Sequence, residues 1–415
     1  MTSSSHREVY VWVWLPGQTE PVVAGRLAPT PAGLQFNYGQ SYLRREEAIP
    51  LYWPELPLTP GLIPLRPGLS MPGCLRDGAP GAWGRRVILN RLFGDSASGV
   101  DPGVVDEMTY LLKSGSDRVG ALDFQTSAHE YHPRRGDEAS LEQLQEAAAR
   151  IERGQSLPTA LERALLHGTS LGGARPKARI QADGRQYIAK FSSSTDVMPT
   201  VKVEFLAMRL AARLGLNVAA VERREVAGKD VLLVERFDRP TGEREGERRM
   251  VVSALTILEL DEMMARYASY EDLADIIRHR FHEPRATLRE LFGRLVFNIL
   301  CGNTDDHARN HAAFWDGNSL ALTPAYDICP QARTGNEATQ AMLIQGQNRS
   351  SRLHLCRQAA PQFLLTSEQA DDIIQQQRQG IHDHWAETCV EAGLSTAERQ
   401  MLWGRQFLNP YSLGE

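Results

Sequence analysis

The chain has 415 residues, of which 42% are hydrophobic and 23% are charged, and this composition is typical of globular proteins with a sizeable core. Its formal net charge of −5 gives no overall signature of a nucleic-acid-binding protein, although it is compatible with a local basic patch. No apolar stretch is long enough to span a bilayer, so we expect no membrane association.

The five cysteines are an odd number and show no C-x-x-C spacing. This pattern argues against a disulfide framework and against a zinc site, and it indicates a reducing compartment. The N-terminal segment MTSSSHREVY is polar and lacks the pattern of a signal peptide. We therefore expect a cytoplasmic protein.

The first third of the chain predicts a small β-rich domain with helices. Residues 8 to about 70 are rich in Val, Tyr, Trp, Pro and Gly, and the alternation in VYVWVWL predicts a strand. A helix is expected to begin near Trp83, in GAPGAWGRRVILNRLFG. The segment SAHEYHPRRGDEAS has the composition of a disordered segment or a linker, and Ser140 with Gln143 then forms a capping box for the next helix. We place a domain boundary there, between residues 1–135 and residues 136–415.

Beyond this boundary strands and helices alternate. KARIQADGRQYIAKFSS predicts a hairpin that turns at Asp183-Gly184, and a helix follows over residues 200–214. KDVLLVERFD reads as an apolar strand. A buried helix is expected from Leu288 to Gly302, where glycine supplies a C-terminal cap. After residue 327 the pattern is mainly helical, and Thr366 with Gln369 caps another long helix.

An acid-rich stretch, CGNTDDHARNHAAFWDGNSLALTPAYDICP, follows that buried helix. The turn at residues 316–318 predicts a hairpin, and a hairpin would bring Asp305 and Asn310 close to Asp327. Carboxylate and amide oxygens are suitable ligands for Mg²⁺ when phosphate oxygens complete the coordination shell. The spacing of Asp305 and Asn310 also matches a kinase catalytic loop. The alternative is a loop whose acids and amides make turns and caps, and the spacing alone favours this alternative.

Two further segments carry residue types suited to phosphates. Lys190 lies at the end of the apolar strand YIAKF, and Glu204 follows early in the next helix. A lysine on a buried strand needs a partner, because an unpaired buried charge is costly. Upstream, TSLGGARPKA offers backbone N–H groups and basic side chains. Taken singly, these features are more often surface charges and a Gly-Gly turn.

In this order the motifs resemble the HipA family of bacterial serine/threonine kinases, which are the toxins of toxin–antitoxin pairs. The resemblance is carried by SLGGARPKA, YIAKF, VEFLAMRLAARLGL, VERFDR, NTDDHARNHAAF and LTPAYDI, and by GAPGAWGRR and SGSDRVGALDF in the N-terminal part. It implies an α+β fold in which a β-rich N-terminal subdomain precedes a bilobal protein-kinase-like domain. The N-lobe would cover about residues 136–240, and a mainly α-helical C-lobe about residues 241–415.

The resemblance also implies roles for individual residues around ATP and Mg²⁺. Asp305 would be the catalytic base, and Asn310 and Asp327 would bind Mg²⁺. Lys190 would contact the α and β phosphates with Glu204 as its ion-pair partner. The other nucleotide contacts implied are the hinge residues Glu235 and Phe237, the loop residues Gly172, Gly173, Ala174, Arg175 and Lys177, and His307, for which a structural hydrogen bond is the alternative.

Regulation and partners follow from the same resemblance. The family's autophosphorylated loop serine falls on Ser170, with Thr169 as the alternative site. The protein substrate would be an aminoacyl-tRNA synthetase, so that translation stops, although the sequence does not identify it. A HipB-like helix-turn-helix antitoxin would be the partner, and DNA would be contacted only through it.

The chain departs from ordinary protein kinases in ways that fit the HipA-like branch. It has no G-x-G-x-x-G loop, YDI stands in place of DFG, and no A-P-E motif follows. Two function classes stay open at this point. One is an active Mg-ATP-dependent protein kinase, and the other is a kinase-fold module that binds an antitoxin and acts as a co-repressor. Competent residues at positions 305, 310 and 327 favour the enzyme.

Overall fold

The computed structural model describes residues 7–193 and 196–414. The chain divides into two compact units. The first unit comprises Met1–Thr195, Glu225–Val252 and Phe314–Asn318, and the second comprises Asp196–Arg224, Ser253–Ala313 and Ser319–Glu415. The domain boundary predicted between residues 135 and 136 stays a prediction.

Strands and helices alternate along much of the chain, and their bounds are as follows. The strands are β1 (Val9–Val13), β2 (Val22–Thr30), β3 (Gly33–Tyr38), β4 (Leu122–Gln125), β5 (Lys177–Ala182), β6 (Arg185–Phe191), β7 (Val221–Val226), β8 (Lys229–Glu235), β9 (Met250–Ser253), β10 (Ala312–Trp315) and β11 (Leu320–Leu322). The helices are α1 (Gln40–Leu43), α2 (Gly73–Arg76), α3 (Ala82–Phe93), α4 (Glu107–Lys113), α5 (Leu141–Glu152), α6 (Thr159–Leu165), α7 (Thr200–Arg213), α8 (Ala254–Ile257), α9 (Tyr270–Arg280), α10 (Pro284–Cys301), α11 (Leu353–Ala359), α12 (Ser367–Glu391), α13 (Thr396–Leu402) and α14 (Pro410–Leu413).

The first unit contains an antiparallel sheet of order β3-β2-β1-β4, in which Val11 pairs with Phe124. The alternation in VYVWVWL therefore predicted a real strand, β1. In a second sheet β6 lies between β5 and β8. The turn between β5 and β6 falls at Asp183 and Gly184, whose φ angles are 51° and 73°, as the hairpin prediction required.

One hydrophobic core of the first unit combines residues from both sides of position 135. Helices α3 and α5 pack there against the sheet that contains β6 and β8. Its fully buried members include Trp83, Ala147, Phe191 and Leu233. Helix α3, which the sequence placed in the N-terminal part, is therefore packed together with the strand that carries Lys190.

The segment over residues 127–140 differs from the disordered or linker-like segment that its composition suggested. It has almost no regular secondary structure, but two of its side chains hold it in place. The ring of Tyr131 contacts those of Trp12 and Trp14, with centroids 5.5 and 5.4 Å apart. Arg134 pairs with the fully buried Asp123 at 2.9 Å. Aromatic packing and a buried charge thus order a stretch that looks polar and irregular in sequence.

The second unit is mainly helical, as predicted for the end of the chain. Helix α10 is buried along its C-terminal half and packs against α9 and α12. It ends at Gly302, which adopts the left-handed conformation with φ 72°, and this confirms the predicted cap. Capping boxes are present at Ser140 with Gln143 and at Thr366 with Gln369, so both predicted helix starts are confirmed.

All five cysteines are free thiols, four of them buried. Over residues 7–193 and 196–414, we find no helix with the length and apolar character needed to cross a bilayer.

Candidate functional site

The loop that follows α10 presents the acids singled out in the sequence. Asp305 is exposed on this loop, and its main-chain oxygen accepts hydrogen bonds from Asn310 Nδ2 at 3.1 Å and from His307 N at 2.9 Å. Because the amide nitrogen of Asn310 is used in this way, its Oδ1 is the atom that can serve as a metal ligand. These two hydrogen bonds hold the loop through the main chain of Asp305.

The hairpin β10–β11 returns the chain to this loop. Tyr326, just before Asp327, donates its hydroxyl to Arg309 O at 2.7 Å, next to Asn310. Partial burial and then repulsion from Asp327 and Asp306 raise the pKa of Asp305, while His307 opposes this shift. The structure thus brings Asp305, Asn310 and Asp327 together, as predicted from the hairpin.

Asp327 itself has an unusual backbone conformation, with φ 60°. This left-handed conformation costs most side chains roughly 1–2 kcal/mol, and aspartate and asparagine tolerate it better than the other non-glycine residues. Strained positions of this kind cluster where the orientation of a side chain matters. The conformation is consistent with a carboxylate that must be aimed at a particular point.

A buried polar network supports the acidic loop, and it was not predicted from the sequence. Asp306, next to Asp305, accepts hydrogen bonds from the Tyr270 hydroxyl and from His311 Nε2, the latter at 2.9 Å. The side chains of Asp306 and His311 are each 3% exposed, and Tyr270 is fully buried. Burial alone would raise the pKa of Asp306, but His311 and these hydrogen bonds lower it below its usual value. Asp306 is therefore an ionised anchor for the loop.

Two asparagines extend this support. Asn303 Nδ2 donates to Asn298 Oδ1 at 3.1 Å, which ties the start of the loop to the last turns of α10. Gln340 Nε2 donates to Asn303 O at 2.9 Å. The dipeptide Asp-Asp in NTDDH was a signal for Asp306, but its partner Tyr270 lies 36 residues earlier on another helix. Only the fold could reveal this pair.

His307 was predicted as a nucleotide contact, with a structural hydrogen bond as the alternative. Its main-chain nitrogen donates to Asp305 O, whereas the buried Nδ1 of its ring has no hydrogen-bond partner among the described residues. The nucleotide contact stays a prediction.

In the first unit, two lysines predicted to bind phosphates lie directly opposite each other. Lys177 on β5 pairs in register with Lys190 on β6, and the two residues are only 6% and 7% exposed. Cross-strand partners in register point to the same face, and like charges in such a pair destabilise a sheet. An anion bound at this face would offset that repulsion.

In the segment TSLGGARPKA, residues 169–176 form a loop, and Lys177 and Ala178 begin β5. Lys177 Nζ donates to Gly172 O at 2.5 Å, so the lysine that follows the loop is hydrogen-bonded to the main chain of the loop. Gly172, Gly173 and Ala174 are exposed, and Arg175 is half-buried. Thr169 and Ser170 are each 2% exposed, and the buried Ser170 Oγ has no hydrogen-bond partner among the described residues. The predicted phosphorylation site is therefore shielded from solvent in this conformation.

The predicted hinge follows β8. Glu235 pairs with Arg185 at 2.9 Å, so its side chain is engaged on the sheet and its main chain is the part suited to an adenine base. The residues that flank Phe237 belong to a buried ion-pair network. Arg236 and Arg239 both contact Asp117, at 2.9 and 3.0 Å. Asp238 Oδ2 accepts from Gly120 N at 2.7 Å. This role of the motif SGSDRVGALDF was not predicted from the sequence.

Glu204 lies on α7 in the second unit and is 2% exposed, whereas Lys190 belongs to the first unit. The ion pair between them stays a prediction.

Comparison with known proteins identifies the family. The family model described as the HipA-like C-terminal domain matches residues 169–385, which is more than half of the chain. The chain belongs to the HipA family. The match begins at Thr169 and covers the glycine loop, both buried lysines, the hinge and the acidic loop.

Two curated relatives agree with this assignment. A putative kinase of Sinorhizobium fredii, Y4mE, is 28% identical over 272 residues, which are 57% of this chain and 60% of that protein. The serine/threonine-protein kinase toxin HipA of Shewanella oneidensis is 28% identical over 183 residues, which are 38% of this chain and 42% of the toxin. The chain thus spans about half of the length of the curated relatives it matches.

A solved structure gives the fold. HipA of Shewanella oneidensis MR-1, determined with HipB and its operator DNA, matches with a TM-score of 0.67 at 21% sequence identity. The match covers 97% of this chain and 99% of that one. The predicted α+β class and the HipA kinase-like fold are confirmed.

Proposed function

We propose that this chain is a HipA-type serine/threonine protein kinase that transfers the γ-phosphate of ATP to a protein hydroxyl. The observation that carries the proposal is the meeting of Asp305, Asn310 and Asp327 on a loop held by buried hydrogen bonds. Two carboxylates beside an oriented amide are the ligand types that Mg²⁺ takes in phosphoryl-transfer enzymes. A turn-forming role alone does not account for the partial burial and the neighbouring acids, Asp327 and Asp306, that raise the pKa of Asp305.

The residues of this chain fit Mg²⁺-bound ATP. Asn310 Oδ1 and the Asp327 carboxylate would hold Mg²⁺, which supplies charge neutralisation on the phosphates when it is bound. Asp305 would accept the proton of the attacking hydroxyl, as a general base whose raised pKa makes it a better proton acceptor. The substrate oxygen then forms the new bond to phosphorus as the bond to ADP breaks.

The first unit offers the groups that suit a nucleotide. Lys177 and Lys190, buried and in register, would neutralise phosphate charge, with Glu204 as the partner of Lys190. Gly172, Gly173, Ala174 and Arg175 would supply backbone and guanidinium donors. The main chain at Glu235 and Phe237 would meet the adenine, and His307 is a further candidate contact.

We further propose control by autophosphorylation at Ser170, with Thr169 as the alternative. The Ser170 hydroxyl would have to leave its buried position before it could attack ATP, and a phosphate carrying about −1.5 to −2 charges could not return there. The modified loop would then be lost from the nucleotide site. This would make the kinase switch itself off.

The proposed partners follow from the HipA family and from the net charge of the chain. A HipB-like helix-turn-helix antitoxin would bind this chain and contact the operator DNA. With net charge −5, the isolated chain should show only weak DNA binding that disappears as salt is raised. Salt-resistant operator binding by the chain alone would contradict this. The substrate would be an aminoacyl-tRNA synthetase, with translation arrest as the outcome, and ATP use together with free cysteines favours the cytoplasm as the compartment.

The decisive experiment is phosphate transfer by the purified chain. We expect Mg²⁺-dependent incorporation of ³²P from γ-labelled ATP into the chain itself and into a protein of the host lysate, with EDTA and the Asp305→Asn variant as controls. Phosphoproteomics after induction would identify the substrate. Nucleotide binding without any phosphate transfer would overturn the proposal of kinase activity and would favour a module that acts through an antitoxin.

A further inference from the structure

The N-terminus of α3 lies against the glycine loop, and the contact is made by main-chain atoms. Gly81 N donates to Leu171 O at 3.4 Å, and Trp83 N donates to Gly173 O at 3.1 Å. The indole Nε1 of Trp83 adds a hydrogen bond to Lys177 O at 3.0 Å. Within the part of the chain that the structure describes, no side chain caps this helix at Gly81. The loop carbonyls therefore take the place of a capping side chain on the free N–H groups of the helix.

There is no room for a side chain at this contact. A Cβ atom on Gly84 would lie 1.9 Å from Thr169 O, and one on Gly81 would lie 2.5 Å from Gly173 N. Both neighbours are backbone atoms, which cannot rotate away as a flexible side chain can. Gly81 has φ −72° and Gly84 is helical, so neither position needs glycine for its conformation. The glycines are required by the closeness of the loop.

A second N-terminal segment supports the same loop. Gly115 N donates to Thr169 Oγ1 at 2.9 Å, and a Cβ on Gly115 would lie 2.6 Å from Leu166 O. The motifs GAPGAWGRR and SGSDRVGALDF, to which the sequence alone assigned no part in nucleotide binding, thus both contact the glycine loop. These contacts link residues more than fifty positions apart in the sequence.

The contact with α3 also orients the donors of the loop. In a trans peptide the carbonyl oxygen and the following N–H point in opposite directions. Since the carbonyls of Leu171 and Gly173 point at α3, the N–H groups of Gly172 and Ala174 point away from the helix. Gly172 and Ala174 are exposed, so these N–H groups can meet a phosphate.

We propose that the N-terminus of α3 is a dock that holds the glycine loop in its ATP-binding position. Gly81 and Gly84 are then positioning residues for nucleotide binding, and this inference rests on the proposed use of the loop to bind ATP phosphates. The dock also keeps Ser170 buried, because Thr169 and Leu171 on either side of it contact N-terminal segments.

The test compares Gly84→Ala with Gly99→Ala. Among the described residues, no atom lies within 4 Å of a Cβ added to Gly99, and Gly99 has no left-handed φ, so its substitution controls for the loss of glycine. Loop release is measured by trypsin cleavage after Lys177, the first residue of β5, which directly follows the loop, is 6% exposed and, unlike Arg175, is not followed by proline. Mg-ATP affinity and kcat at saturating ATP are measured on the same preparations.

In Gly84→Ala we expect faster cleavage after Lys177 and an ATP affinity about tenfold weaker, because only a minor docked population can bind. We expect kcat at saturating ATP to change little, since bound ATP restores the docked loop. Gly99→Ala should match the wild type in all three measurements. A general loss of stability would instead lower kcat and open many cleavage sites together.

If Gly84→Ala does not fold, Gly81→Ala makes the same test with a milder clash. If a folded variant is cleaved after Lys177 at the wild-type rate and binds Mg-ATP with the wild-type affinity, the proposal that α3 holds the loop is overturned. The proposed function fails separately, when the wild-type chain neither binds Mg-ATP nor transfers phosphate. In that case the cleavage measurement still decides whether α3 holds the loop.

Discussion

The acidic loop after α10 and the glycine loop before β5 are held in place by different kinds of contact. The acidic loop is anchored by side chains, since Asp306 is buried and bonded to Tyr270 and His311. The glycine loop is anchored mainly by its own backbone, against Gly81, Trp83 and Gly84 of the α3 region. Each loop carries residues for which we propose a part in phosphate transfer.

The two kinds of contact differ in strength, so the two loops differ in how readily they can move. A hydrogen bond to a buried charge contributes roughly 1.5–3 kcal/mol, whereas a neutral one contributes about 0.5–1.5 kcal/mol. Asp306 receives two charge-assisted bonds, while α3 offers the glycine loop two neutral main-chain bonds, one of them long at 3.4 Å. We infer that the acidic loop is pre-organised and that the glycine loop is released more readily.

The largest effect is expected from Asp305→Asn. The substitution removes the proposed base but keeps the loop, because Asn310 and His307 bond to the main-chain oxygen of residue 305. We expect phosphate transfer to fall by roughly 10²–10⁴-fold with ATP affinity retained. Radiolabel transfer and nucleotide titration measure the two quantities. Transfer near the wild-type rate would remove Asp305 from the mechanism.

Asp327→Asn tests the second acid on the same structure. Asparagine tolerates the left-handed backbone found here at φ 60°, so the variant should fold with little change in melting temperature. Loss of a negatively charged ligand should weaken Mg²⁺-dependent nucleotide affinity by about 10- to 100-fold. Titration with Mg²⁺ at fixed nucleotide checks this. A variant that melts early but keeps its Mg²⁺ dependence would make Asp327 a structural residue.

Tyr270→Phe tests the anchor behind the acidic loop. Removing the hydroxyl leaves Asp306 with one fewer donor, so we expect kcat to fall by about tenfold while the KM for ATP is retained. Tyr267→Phe is the matched control, because Tyr267 is 44% exposed and its hydroxyl accepts only from Arg266 among the hydrogen bonds described for it. A lower melting temperature with unchanged kcat would mean that Tyr270 stabilises the fold without positioning the loop.

The smallest effect on initial rate is expected from Ser170→Ala. Its Oγ makes no hydrogen bond within the described residues, so ATP affinity should stay within about twofold of the wild type. The variant should keep its activity during long incubation with Mg-ATP, whereas the wild type loses it. Ser170→Asp should bind ATP poorly, because a charge cannot be buried at a residue that is 2% exposed. Mass spectrometry that finds no phosphate on Ser170 or Thr169 of an active kinase would remove this switch.

Local signals in the sequence were sufficient for several helix ends and turns. Helix α10 was predicted to stop at Gly302 because glycine adopts the left-handed cap at no steric cost. The two capping boxes and the turn at Asp183-Gly184 were predicted for the same kind of reason, since each depends on residues at most three positions apart. The hairpin β10–β11 also predicted that Asp327 would return to Asp305 and Asn310.

The supports of both loops could be found only in the tertiary structure. Tyr270 meets Asp306 from another helix, and Gly84 meets Thr169 from 85 positions earlier in the chain. Neither hydrophobic periodicity nor motif spacing predicts such pairs. Side-chain hydrogen bonds and the close approach of two backbones depend on how segments that are distant in the sequence pack together. The sequence by itself determined the residue types suited to the chemistry and the local turns that present them. The packing of α3 and α9 decided which loop is rigid and which can be released, because only packing brings the anchoring atoms within bonding distance.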